Sequence, residues 1–196
     1  MRVGVYSFPK AGSTWLRVIL SRLYDTKHEV PQFCPDMHWN KQQIIDVPFA
    51  GVNKTRKSTT FYKSHSKTLV NRYFDLDLPT THVLYIYRNP LDIFCSYLNY
   101  LLRDPTASKG SFAFPDNKYP KSVESSKENG FLDLAFSSFL LFGTLQPNFD
   151  ICGSWLDHYR LWIKGNYDVK IHLISYESLF YDFDSSLKSI SSFLEI

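Results

Sequence analysis

Close to its first residue the chain changes side-chain period abruptly, and that change limits the fold more than any other feature. Arg2 to Phe8 is a short apolar run of strand-like composition that breaks at Pro9-Lys10-Ala11-Gly12. From Ser13 to about Tyr24, Leu16, Ile19, Leu20 and Leu23 then recur at helical spacing, which predicts a helix with one buried stripe. A strand that turns directly into a helix is the opening of a β–α unit, and the same grammar returns further on. His82–Tyr87 (HVLYIY) is a continuous apolar run, the mark of a parallel strand covered on both faces. Asn89 as N-cap, Pro90 at the first helical position and Asp92 in the first turn predict a helix from Pro90 to about Leu102.

The remaining elements follow the same alternation. Thr60 to Lys63 is a weaker strand candidate and Lys170–Ser175 (KIHLIS) a further strand. Phe131–Phe142 reads as a buried helix. Ser154 to Ile163 reads as another, opened by the capping-box-like pair Ser154 and Asp157, and Phe183–Leu194 as an amphipathic one. Strands alternating with helices predict an α/β fold with a central parallel sheet. Residues 26–58 hold three prolines and little periodicity, so loops are expected there. Residues 104–130, rich in Pro, Gly, Ser and Lys, are expected to form a long flexible loop; Phe112, Phe114 and Tyr119 make it a candidate lid.

Composition narrows the function. At 196 residues, 44% hydrophobic and 21% charged, the chain is expected to be one globular domain, 1–196, and disorder is excluded. The net charge of +3 is spread along the chain, unlike the clustered face of a nucleic-acid binder, but it suits a small anionic ligand. The densest basic cluster, Lys54, Arg56 and Lys57, reads as a solvated loop. Cys34, Cys95 and Cys152 are odd in number with no metal-like spacing, and no carboxylate cluster stands at ligand spacing, so no metal is expected. Reduced thiols, no membrane-length apolar run and no signal pattern predict a soluble, cytoplasmic protein.

In parallel α/β sheets, ligands bind beyond the carboxyl ends of the strands. Four strand ends are expected here, at residues 9–14, 63–65, 88–89 and 176–177. At the first, Gly12 permits a tight turn, and the first turn of the next helix offers free N–H groups and a positive dipole end to an anion. Ser13 and Thr14 add hydroxyls and Lys10 a charge, together a phosphate cradle. It is not a Walker A loop, because its lysine precedes the glycine. At the second, Lys63-Ser64-His65 places a histidine beside that cradle. At the third, Arg88 ends a buried strand, and Asn89, Asp92 and Ser96 share one face of the helix, so Arg88 and Ser96 converge on one anion. Tyr176-Glu177 follows the last strand.

Together, in this order, Pro9-Lys10-Ala11-Gly12-Ser13-Thr14-Trp15, Lys63-Ser64-His65, Arg88-Asn89-Pro90-x-Asp92 with Ser96, and Tyr176-Glu177 resemble the cytosolic-type sulfotransferase family. Its signature there is Pro-Lys-x-Gly-Thr-Thr-Trp, with Ala11 here in place of a serine and Ser13 in place of the first threonine. The resemblance implies a three-layer, P-loop-like fold and the co-substrate 3′-phosphoadenosine-5′-phosphosulfate (PAPS), with 3′,5′-adenosine bisphosphate as product. It implies that Lys10, Gly12, Ser13 and Thr14 hold the phosphosulfate, that Trp15 and Tyr176 lie by the adenine, and that Arg88 and Ser96 take the 3′-phosphate. It further implies His65 as catalytic base, suited by an ordinary pKa near neutrality, with Lys63 assisting and Lys10 offsetting charge on the leaving group. The acceptor would be a hydroxyl or amine on a small molecule or saccharide, with neither nucleic acid nor membrane as partner. Family members continue into an Arg-Lys-Gly segment that closes over the nucleotide. This chain reaches Ile196 without one and is expected to be C-terminally short. The alternatives are a catalytically impaired nucleotide-binding module and a P-loop-type nucleotide kinase.

Overall fold

A computed structural model describes residues 1–26, 33–34, 59–69, 72–73, 76–77, 80–103, 123–127, 130–143 and 152–196. The elements are β1 (Arg2–Ser7), α1 (Ser13–Leu23), β2 (Thr60–Ser64), β3 (Arg72–Tyr73), β4 (Leu76–Asp77), β5 (His82–Tyr87), α2 (Pro90–Arg103), α3 (Val123–Lys127), α4 (Phe131–Phe142), α5 (Trp155–Lys164), β6 (Lys170–Ser175), α6 (Tyr176–Tyr181) and α7 (Phe183–Leu194). Four strands form a parallel sheet in the order β2-β1-β5-β6, and β3 with β4 makes a small antiparallel ladder. The first strand in the chain is thus an inner one, with Val5 opposite Lys63 on one side and Leu84 on the other.

Because strand side chains alternate, the apolar runs clothe both faces. Val3, Val5, Leu84, Ile86 and Ile174 pack with Leu16 and Leu20 of α1 and Ile190 and Leu194 of α7. Tyr6, Tyr62, Val83 and Tyr85 face the other way, against Trp162 of α5. Gly4 is what lets the second face close. A Cβ there would stand 2.8 Å from the Tyr62 hydroxyl and as near the Tyr6 ring. Beyond the strand ends Phe8, Ile93 and Tyr97 pack with Ala135 and Phe139 of α4.

The expected helix starts are those observed. Asn89 Oδ1 accepts from the Leu91 N–H at 2.9 Å, and Ser154 Oγ accepts from the Asp157 N–H at 3.1 Å. Three features differ from expectation. α6 was not anticipated; Ser175 caps it, its Oγ accepting from the Ser178 N–H at 3.3 Å. A helix of one and a half turns leaves too short a pattern to read. The two-residue strands β3 and β4 escape for the same reason. And α4, expected to be a buried helix, is buried on one face alone: Ala135 and Phe139 are covered, whereas Asp133, Leu134, Ser137, Leu140 and Leu141 are exposed. The candidate lid at 104–130 lies outside the described residues except for α3 and Gly130, as do Lys54, Arg56 and Lys57. Among the described residues no helix is long and apolar enough to cross a membrane.

Candidate active site

All four parallel strands deliver their carboxyl ends to one edge of the sheet, where Ser7 pairs with Ile86 and Tyr87 with Ser175. The turn from β1 to α1 takes two residues into left-handed backbone, Lys10 at φ 67° and Gly12 at φ 106°. Glycine is required at the second. A Cβ on Gly12 would overlap the Tyr176 ring, in a conformation that side chains disfavour anyway. Gly12 brings no side-chain cap, so the first N–H groups of α1 are left to whatever lies beyond the helix end.

Lys10 is half-buried, its Nζ 4.4 Å above the centre of the Tyr100 ring on α2. Burial, and then the nearby Lys63 charge, push its ammonium pKa below the usual lysine value. Lys63 and His65 themselves are nearly buried at the end of β2. His65 Nδ1 lies 2.7 Å from the Ser7 main-chain oxygen and 3.2 Å from its Oγ. A carbonyl can only accept, so Nδ1 carries the proton and the lone pair of the neutral ring sits on Nε2.

Arg88 leaves β5 with its Cζ 4.1 Å above the centre of the Tyr176 ring. Its Nε is buried and has no hydrogen-bond partner among the described residues. Beside it Glu177 ties two strand ends together. Oε1 accepts from the Asn89 N–H and Oε2 from the Ser175 hydroxyl, both at 2.8 Å. Burial alone would raise the Glu177 pKa. The bonds from Asn89 and Ser175, with the Arg88 charge, outweigh it and hold the carboxyl below its usual value. Trp15 meets the same tyrosine edge to face at 5.4 Å and stacks with Phe183 at 6.5 Å.

These parts line one cavity of about 560 Å³, within the range of small-molecule sites. Lys10, Gly12, Ser13, Thr14 and Trp15 reach it from the first strand end, Lys63 and His65 from the second. Arg88 and Ser96 reach it from the third and Tyr176 from the fourth. Every residue expected to carry catalysis or to hold the cofactor therefore stands on its wall, and among the described residues no carboxylate does. A second cavity of about 540 Å³ shares Lys10, Arg88 and Ser96 and runs along α2 to Arg103. Tyr97 and Tyr100 also line the first cavity and were missed. Tyr100 stands one helical turn beyond Ser96 on α2, and that spacing could have found it. Among the described residues no group of three or more His, Cys, Asp or Glu could hold a metal ion.

A parallel α/β sheet whose strand ends gather three cations and a helix N-terminus around one cavity is a fold suited to holding an anion. The Sulfotransferase domain family matches residues 2–196, and the chain belongs to that family. It is 27% identical over 206 residues to the amine sulfotransferase of Oryctolagus cuniculus, covering 98% of this chain and 56% of that protein. Against Homo sapiens Sulfotransferase 2A1 it is 25% identical over 201 residues, covering 97% and 58%. The chain thus spans a little over half the length of these relatives. In fold it is similar to a crystal structure of mouse sulfotransferase SULT7A1 complexed with PAP, with a TM-score of 0.59 and 22% identity over 100% of this chain and 58% of that one.

Proposed function

We propose that this protein transfers a sulfonate group from PAPS to the hydroxyl or amine of a small-molecule or saccharide acceptor, with His65 as the base. One observation carries the reading: a single cavity, without a carboxylate among its described lining residues, joins the β1–α1 turn, the Lys63–His65 strand end and the Arg88–Ser96 pair. The residues fit the nucleotide. The buried Nε of Arg88 lacks a partner that a phosphate oxygen would supply, and Gly12 keeps the backbone clear of a side chain at the helix end.

Bound there, PAPS supplies an electrophilic sulfur carried on a phosphate leaving group. Lys10, Gly12, Ser13 and Thr14 would hold its phosphosulfate, Arg88 and Ser96 its 3′-phosphate, and Trp15 and Tyr176 its adenine. His65, its Nδ1 committed to Ser7, has the Nε2 lone pair to take the proton from the acceptor's O–H or N–H. As the acceptor's oxygen or nitrogen bonds to sulfur and the bond from sulfur to the phosphate oxygen breaks, Lys10 and Lys63 would offset the negative charge that develops on the leaving phosphate, and their buried setting strengthens the effect. Both acceptor chemistries stay in the reading, and the rabbit relative is itself an amine sulfotransferase.

Calorimetric titration with 3′,5′-adenosine bisphosphate, beside ADP and the Arg88→Ala variant, tests the nucleotide half. The expected result is bisphosphate binding that exceeds ADP binding and drops roughly ten- to a hundredfold in the variant, as for a lost charged hydrogen bond. Equal binding of ADP, or an unaffected variant, overturns it. Transfer to an acceptor panel tests the rest: His65→Ala should lose on the order of a hundredfold or more in kcat, and full activity in that variant removes His65 as base.

A further inference from the structure

We propose that α5 is a clamp that sets the position and tautomer of His65, with His158 and Trp162 as its positioning residues. The inference rests on the reading of His65 as base and concerns what holds it. His158 and Trp162 are four apart on one face of α5 and are fully buried against the tyrosine face of the sheet. Their ring nitrogens lie against two consecutive main-chain oxygens, His158 Nε2 3.2 Å from that of His65 and Trp162 Nε1 3.1 Å from that of Ser66. Carbonyls only accept, so both rings donate. One helix face therefore grips the chain at the base and at the residue after it.

The His158 ring is itself oriented. Its Nδ1 lies 3.0 Å from the Tyr85 hydroxyl, and with Nε2 committed as donor the neutral ring accepts there from Tyr85. Phe8 meets the ring edge to face at 5.6 Å, and Tyr85 lies nearly parallel to it at 5.6 Å. A polar ring in full burial costs free energy unless its nitrogens are hydrogen-bonded, and both nitrogens of His158 are, one of them to the main chain at His65. β1 holds the imidazole from one side through the Ser7 oxygen, and α5 holds the main chain beneath it from the other. Slackening either grip would let Nδ1 leave Ser7 and so release the tautomer that keeps the lone pair on Nε2.

The test is ring-nitrogen NMR of the full chain labelled with 15N-histidine, with kcat and nucleotide affinity measured alongside. His158→Phe keeps a buried ring and deletes the donor; His158→Gln puts an amide N–H where Nε2 stood. The wild type should show neutral His65 protonated at Nδ1, His158→Phe a mixture of tautomers, and His158→Gln a return to the single form. In turnover, His158→Phe should lower kcat on the order of a hundredfold, leave 3′,5′-adenosine bisphosphate affinity unchanged, and be rescued by His158→Gln. An unchanged His65 spectrum in His158→Phe overturns the inference, and so does a loss that His158→Gln fails to rescue. If His158→Phe does not fold, Trp162→Phe and Tyr85→Phe each delete one donor and read the same signal. Retained activity in His65→Ala would sink the base assignment alone, since the spectrum still decides whether α5 sets the ring.

Discussion

On one face of the sheet Val5, Leu84 and Ile86 meet α1 and α7 through hydrocarbon. On the other, Tyr6 and Tyr85 lay their rings on Trp162 of α5, and the hydroxyls of Tyr6, Tyr62 and Tyr85 are hydrogen-bonded. The first face is held by area and volume, which many arrangements of similar side chains satisfy. The second is held by direction. Tyr62 Oη lies 3.0 Å from Tyr6 Oη and 2.6 Å from Thr80 Oγ1, and Tyr85 Oη lies on His158. Burial pushes the Tyr62 and Tyr85 hydroxyls to higher pKa, so they stay neutral donors. A fold whose chemistry sits at its strand ends has reason to keep the two kinds apart. The first face, although Trp15 and Tyr176 also rest on it, is expected to supply mainly stability, and the hydrogen-bonded face position.

The largest effect should come from breaking the aliphatic face. Leu84→Ala removes a fully buried side chain and should cost about 3 kcal/mol in denaturant unfolding. The protein that remains folded should still bind 3′,5′-adenosine bisphosphate as before. A fall in its affinity would mean that this face also positions the site and that the division is false. Next comes Tyr62→Phe, which deletes one hydroxyl from the Tyr6–Tyr62–Thr80 chain and should cost about 1 to 2 kcal/mol. If it costs nothing, the polar face is packing alone. The smallest effect belongs to neither face. Because burial and Lys63 depress the Lys10 pKa, its charge is lost at lower pH than an ordinary lysine's. An anion favours the protonated form, so affinity for the bisphosphate should be full below that pKa and decline as pH rises through it. Titrations across alkaline pH would show the decline, and Lys10→Arg should flatten it.

Much of this arrangement could be read from the residues before any coordinates. β1 and β5 were legible because a continuous apolar run leaves few options, and α2 and α5 because Asn89 and Ser154 announce where helices begin. The candidate site was legible as a cluster because the residues proposed for it stand at strand ends, and a parallel sheet brings all strand ends to one edge. What could not be read is whatever depends on partners distant in the chain. His158 sits in an ordinary amphipathic pattern, and nothing local says that its ring reaches the main chain at His65. Glu177 looks like a surface carboxylate until Asn89 and Ser175 are found on its oxygens. α4 shows the limit from the other direction: Asp133 and Ser137 mark its outer side, yet Leu134, Leu140 and Leu141 are exposed beside them, which its apolar composition did not lead one to expect.

Tyr176 gives the pocket a history as well as a wall. Its ring presses on the Gly12 backbone, carries Arg88 on its face and meets the edge of Trp15. The turn it closes and both neighbours of β1 lie between Arg2 and Tyr87, whereas Tyr176 follows β6. Local pairing of β1 with its neighbours therefore leaves the turn without the ring that closes it, and the candidate pocket is complete only when the strand most distant in sequence has joined the sheet.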